Sequence, residues 1–341
     1  MIPLHFQYPL RWLVFFLICA GLGYPTLQRY DPRTTGGITD AQEYYALASS
    51  TDLFTAKSIL SEEDPRPRLL VPLTARLVRG VVAGHSAAVD SGLLSLLIAN
   101  ALFCATTALL LTIAGKMVTG DDASALTAAL LYLLSFAVSN YYLTALVDSG
   151  EACLLLALAW ALMSERWQLL PLIGIAGVLA KETFMPFAAI YSTVWYWRVA
   201  GFRLTDRRGK WWLALNISTF GTLLVLWSSW YRQPVLPWTI AVVQHGLESS
   251  FWTGLWGAVA NHGTLYLFGW LLPLGVWKLH RLPPAWVLPC IATVVGALLM
   301  GAWDDSGSNI ARALFNICGP VLALSTALLL TGSAKQPHAL R

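Results

Sequence analysis

Apolar runs recur along the chain, separated by short polar connections. Candidate spans lie at 9–27, 89–113, 123–143, 148–164, 168–181, 184–200, 211–230, 263–278, 284–303 and 310–331. About 20 apolar residues in a helix cross the roughly 30 Å of hydrocarbon in a bilayer. Within lipid, each backbone N–H and C=O must find its partner inside the segment, so such runs predict helices. The expected fold is an all-α polytopic membrane protein with ten transmembrane helices. One stretch departs from the pattern. In LLVPLTARLVRGVVAG, residues 69–84, Pro72, Arg76 and Arg79 interrupt the apolar run. It predicts an amphipathic helix at the interface rather than a span.

Two connections, 28–88 and 231–262, are too long to be turns. Both mix apolar and polar residues with prolines and predict structured loops carrying surface helices. The first contains GGITDAQEYYALAS, residues 36–49. Its glycines favour a turn. Asp40 then stands at an N-cap position, and Glu43, three residues on, completes a capping box. Tyr44, Tyr45 and Leu47 give this short helix an apolar side suited to the interface. No repeat or low-complexity tract divides the chain, which reads as one domain over 1–341.

Composition strengthens the membrane reading. Hydrophobic residues make up 57% and charged residues 12%, against about 25% charged in soluble domains. The 16 tryptophans suit aromatic belts at the two interfaces. The net charge of +4 is then a topology signal, not a sign of nucleic-acid binding. With the N-terminus inside, Lys116, Arg166, Arg198, Arg203, Arg207, Arg208, Lys210, Lys278, Arg281, Lys335 and Arg341 fall on the inner side. Beyond the first loop, only Lys181, Arg232 and Arg312 fall outside. That asymmetry obeys the positive-inside rule and predicts cytoplasmic termini with 28–88 and 231–262 extracytoplasmic. The five cysteines sit in apolar runs without metal-ligand spacing and read as small core residues.

Charged residues in or near spans are costly and mark candidate sites. Here they gather on the outer side. Asp148 and Glu151 open one span in TALVDSGEACLLLALAW, and Lys181 and Glu182 join two spans in GVLAKETFMPF. Asp304, Asp305 and Arg312 join the last two spans in GAWDDSGSNIARALFNICGP. Simpler readings exist for most of them. Asp148 and Glu151 also fit a capping box; Lys181–Glu182 and Asp304–Asp305 also fit solvated turns. Arg312 lies inside an apolar run, where an unpaired guanidinium is expensive, so it calls for a carboxylate or an anionic ligand. In DPRPRLLVP, residues 64–72, Arg66 and Arg68 alternate with prolines. Guanidinium groups match phosphate oxygens in a bidentate way, and they equally anchor a loop to anionic head groups.

The ordered set of an Asp in the first outer loop, the YYALA helix, RPRLLVPLTARL, a span opened by Asp, a Lys-Glu turn and an Arg in the last span resembles the GT-C superfamily. More narrowly, it resembles bacterial membrane glycosyltransferases that use polyprenyl-phosphate-linked sugars. The resemblance implies Asp40 as catalytic base with Glu43 as second choice. It implies phosphate binding by Arg66, Arg68, Lys181 or Arg312. Asp148, Glu151, Glu182, Asp304 and Asp305 would support them. Two departures stand out: Ala41 and Gln42 separate the two acids of the first loop, and 341 residues leave no room for the usual soluble domain. Acceptor recognition would then come from the loops or from a partner protein. The chemistry fits the residues independently. A carboxylate takes the proton of an attacking hydroxyl, and cations stabilise charge on the leaving phosphate. A second carboxylate is also suited to a divalent cation, since hard cations prefer oxygen ligands. The expected partners are the lipid-linked donor and membrane lipids, in a bacterial cytoplasmic membrane. The rival readings are a polysaccharide polymerase or ligase, a membrane transporter, and a non-catalytic assembly protein.

Overall fold

The computed structural model describes residues 4–29, 39–50, 68–83, 90–201, 206–232, 251–260, 262–303 and 307–332. Arg66, Asp304 and Asp305 lie outside them. In chain order the elements are α1 (Leu4–Gly23), α2 (Thr26–Arg29), α3 (Thr39–Ser49), α4 (Leu70–Val82), α5 (Ser91–Thr119), α6 (Asp122–Leu133) and a π-helical turn (Val138–Tyr142). There follow α7 (Asp148–Met163), a 3₁₀ turn (Trp167–Leu169), α8 (Leu170–Ala180), α9 (Phe184–Ala200) and α10 (Arg207–Tyr231). The last are α11 (Phe251–Ala260), α12 (His262–Phe268), α13 (Leu271–Lys278), a second 3₁₀ turn (Leu279–Arg281), α14 (Pro284–Trp303) and α15 (Gly307–Leu330). Every element among the described residues is helical, so the protein is all-α.

Among the described residues, four helical stretches are long and apolar enough to cross a membrane: Ser91–Thr119, Arg207–Tyr231, Pro284–Ala302 and Ile310–Leu330. The ten apolar runs are all helical, but three are interrupted. The first breaks at Tyr24 and Pro25, where proline lacks an N–H and crowds the preceding residue. The third breaks between α6 and the π-helical turn, and the eighth at Gly269 and Trp270. α4 has 13 residues and is about 20 Å long, short of the roughly 30 Å of hydrocarbon, and Arg76 and Arg79 interrupt its apolar surface. Its Val71 and Ala75 are buried, whereas Leu77 and Val81 point outward.

The core runs through α5 and α15. α5 packs on α1, α4, α6 and α7, and α15 packs on α6, α7, α13 and α14. Four of the five cysteines are buried, and all five are free thiols. A smaller cluster joins Tyr44 and Leu47 of α3 to Val71 and Ala75 of α4, Leu96 and Ala99 of α5, and Val147. This corrects the expectation for the YYALA helix. Tyr44 and Leu47 are enclosed by protein rather than resting on a membrane surface, because α4 and α5 together offer them a complete apolar groove. Arg79 ties the layer together by donating to the Ser49 carbonyl and, at 3.4 Å, to the Ser91 hydroxyl.

The far end of the bundle is basic. Arg11 and Lys116 both pair with Asp122, and Arg208 pairs with Glu165 at 3.0 Å. The Ser124 and Thr331 hydroxyls meet there at 2.7 Å. At the near end, α8 turns sharply into α9. Gly177 makes that turn possible, since a Cβ added there would sit 2.2 Å from the Phe184 ring. Gly177→Ala should therefore destabilise the fold. Overpacking costs about 1–3 kcal/mol, while the gain in helix propensity returns at most about 1 kcal/mol. Thermal unfolding in detergent reads the difference, and an unchanged midpoint would mean that Phe184 yields freely.

Candidate functional site

The near end of the bundle holds a buried network of ions. It is built on the first turn of α7. Asn100 of α5 donates to the Thr144 carbonyl at 2.7 Å and accepts from the Ser149 hydroxyl, which fixes the entry into that helix. Asp148 then projects both carboxylate oxygens at cations. Oδ1 lies 2.7 Å from Lys181 Nζ, and Oδ2 accepts from Arg312 Nη1 at 2.9 Å. Lys181 reaches in from the turn between α8 and α9, where its backbone is extended.

One helical turn further, Glu151 is fully enclosed. Its Oε2 lies 3.6 Å from Lys181 Nζ and accepts from Asn316 Nδ2 at 2.6 Å. Its Oε1 accepts from the Thr183 hydroxyl. Asn316 stands four residues after Arg312 on α15, so the two share a helix face. The side-chain carbonyl oxygen of Asn316 accepts from the Tyr142 hydroxyl. The neighbouring Tyr141 places its ring 5.8 Å from the Arg312 guanidinium, within cation–π range. Both tyrosines belong to the π-helical turn, a local form that often marks functional sites.

A second pairing lies beside the first. Arg68 donates to both oxygens of Glu182, at 2.9 and 2.6 Å, and to the Tyr44 hydroxyl at 2.7 Å. The Leu69 amide donates to the Leu179 carbonyl at 2.8 Å and fastens the entry of α4 to the end of α8. Burial opposes the charge on Arg68, but Glu182 and Tyr44 outweigh it and raise its pKa well above the usual range. The adjacent residues Lys181 and Glu182 thus face opposite sides, one toward α7 and α15 and the other toward the first loop. Together Arg68, Lys181 and Arg312 face Asp148, Glu151 and Glu182, three cations against three carboxylates. Such matching is what allows charges to be buried, because an isolated ion loses far more hydration than it recovers.

Six of the expected site residues therefore converge: Arg68, Asp148, Glu151, Lys181, Glu182 and Arg312. Several simpler readings fail. Asp148 makes no cap, since Val147 holds the cap position without a side-chain bond and the carboxylate is spent on cations. Lys181–Glu182 is no solvated turn, with Lys181 only 6% exposed. Arg68 is no head-group anchor, because its guanidinium is bound inward. Asp40 also moves. α3 begins at Thr39, so Asp40 lies in the first helical turn rather than before it. Glu43 is half-buried. Arg66, Asp304 and Asp305 fall outside the described residues. Among the described residues, no group of three or more His, Cys, Asp and Glu is arranged to hold a metal ion. Sequence reasoning passed over Asn316, Tyr142, Tyr141, Thr183 and Tyr44 as site residues. For Asn316 a signal existed: a lone amide inside an apolar run, four residues from an arginine.

Comparison with protein-family models finds no match to this chain, and comparison with curated proteins finds none either.

Proposed function

We propose that the chain is a GT-C-type membrane glycosyltransferase. It moves a sugar from a polyprenyl-phosphate donor to an acceptor at the extracytoplasmic face of a bacterial cytoplasmic membrane. The supporting observation is the gathering of Arg68, Lys181 and Arg312 at one end of a helix bundle. The donor's tail stays in the bilayer, so its phosphate must be met at a helix end. Cations placed there stabilise charge on the departing phosphate. The base comes from the neighbouring element: Asp40 opens the helix whose Tyr44 touches Arg68. Asp40 takes the proton of the acceptor hydroxyl, Glu43 supports it, and a single displacement inverts the sugar. Asp148, Glu151 and Glu182 hold the cations in place. Arg66 is a further phosphate ligand, and Asp304 and Asp305 are supporting acids.

In this reading all ten apolar helices span, and both termini are cytoplasmic. The basic far end, with Arg11, Lys116 and Arg208, lies inside according to the positive-inside rule. A reporter fused after Arg341 should be active only in the cytoplasm. Activity only in the outer compartment would invert the whole assignment. The function itself is tested by transfer of labelled sugar from polyprenyl phosphate in membranes that contain the chain. No transfer by the folded wild type, with donors of several sugars, overturns it.

A second reading draws on the pairing itself. Each of the three cations already has a carboxylate, which suits a structural core in a non-catalytic assembly protein. That reading expects neutralising substitutions to lower stability and leave no transfer to be lost.

A further inference from the structure

Below the ion network, a small cavity lies between α7, α9, α14 and α15. Leu156, Tyr191, Trp286, Thr293, Asn316 and Pro320 are among its walls. Its volume of about 10 Å³ is room for one water molecule. Three polar features meet in its lining. Tyr191 is 5% exposed, and its hydroxyl has no hydrogen-bond partner among the described residues. Thr293 donates to the Pro289 carbonyl at 2.7 Å, which leaves its oxygen free to accept. Pro320 has no N–H, so the Asn316 backbone carbonyl, four residues earlier, loses its regular helical donor. Buried hydroxyls and carbonyls are rarely left unsatisfied. In membrane helices the groups freed by proline are commonly re-satisfied by neighbouring side chains or ordered water.

We propose that this cavity binds one structural water molecule, which accepts from the Tyr191 hydroxyl and donates to the Asn316 backbone carbonyl and the Thr293 oxygen. One water has two donors and room for an acceptor role, so it meets all three demands at once. The site is independent of any transferase activity. Its consequence is local: Asn316 also holds Glu151 through its side chain, so the water ends the polar network at its inner edge and lets α15 keep a proline beside charged residues.

The test is an experimental structure of the full chain at a resolution that shows ordered water, paired with that of Tyr191→Phe. The substitution keeps the ring, which stacks on Trp195 with centroids 6.4 Å apart. The expected result is one water peak within hydrogen-bond distance of the Tyr191 hydroxyl in the wild type, and its loss in the variant. An empty cavity in the wild type, an acyl or detergent chain in it, or a peak that persists unchanged in Tyr191→Phe overturns the proposal. If the variant does not fold, the wild-type density alone decides.

Discussion

Asp40→Asn should lower sugar transfer by about 10²–10⁴-fold, the usual loss when a general base is removed. Asparagine has nearly the same shape but cannot take a proton. Asp40 lies in the first turn of α3, and residues four apart share a helix face. Position 40 therefore shares the face of Tyr44, whose hydroxyl receives Arg68 Nη1 at 2.7 Å. The expected structural role of Asp40 is small, since a negative charge in the first helical turn contributes about 0.3–1 kcal/mol. The expected rate loss corresponds to about 1.4 kcal/mol of barrier per tenfold, so the rate effect dominates. Transfer per folded molecule, compared with the unfolding midpoint, separates the two. Near-normal transfer by Asp40→Asn would leave α3 as architecture and move the search for a base to Glu43.

The second large effect concerns stability. Asp148→Asn should destabilise the fold by about 3–5 kcal/mol, the cost of removing one partner from a buried ion pair. The magnitude follows from what the carboxylate does. It serves Lys181 with one oxygen and Arg312 with the other, and both cations are largely enclosed. Glu151 remains 3.6 Å from Lys181, so that cation keeps a carboxylate nearby. Adding Arg312→Gln to Asp148→Asn should recover part of the loss, because it removes one of the two cations that Asp148 had matched. Contacting residues couple by about 0.5–3 kcal/mol in such cycles. Unfolding in detergent by denaturant would measure all four corners of the cycle. A loss below about 0.5 kcal/mol for Asp148→Asn, typical of surface changes, would show that the pairs do not form. The same cycle bears on function. Arg312→Gln alone should lower stability; a further fall in transfer per folded molecule would support the proposed role in phosphate binding, and a fall in stability alone would leave Arg312 a structural ion-pair partner.

The sequence alone determined the elements and their rough positions. A helix satisfies the whole backbone within one continuous apolar run of about 20 residues. The stretches read at 148–164, 184–200 and 284–303 therefore end within a residue of α7, α9 and α14. Alternation of those runs also predicted that Asp148, Glu151, Lys181 and Arg312 would share one end of the bundle, since consecutive helices return the chain to the same side every second crossing. Local rules went astray where tertiary demand was stronger. Asp148 and Glu151 have capping-box spacing, yet two buried cations claim the first carboxylate, and Lys181, Thr183 and Asn316 claim the second. A charged hydrogen bond in a dry site outweighs a cap worth about 1 kcal/mol. Only the tertiary structure decided that Arg68 belongs to Glu182, across 114 residues of chain, and that uncharged Tyr142 and Asn316 complete the network. Asn316 did stand out as a lone amide in an apolar run, but which partner an amide or a phenol meets, and so whether it belongs to a site, is settled only when the fold brings distant helices together.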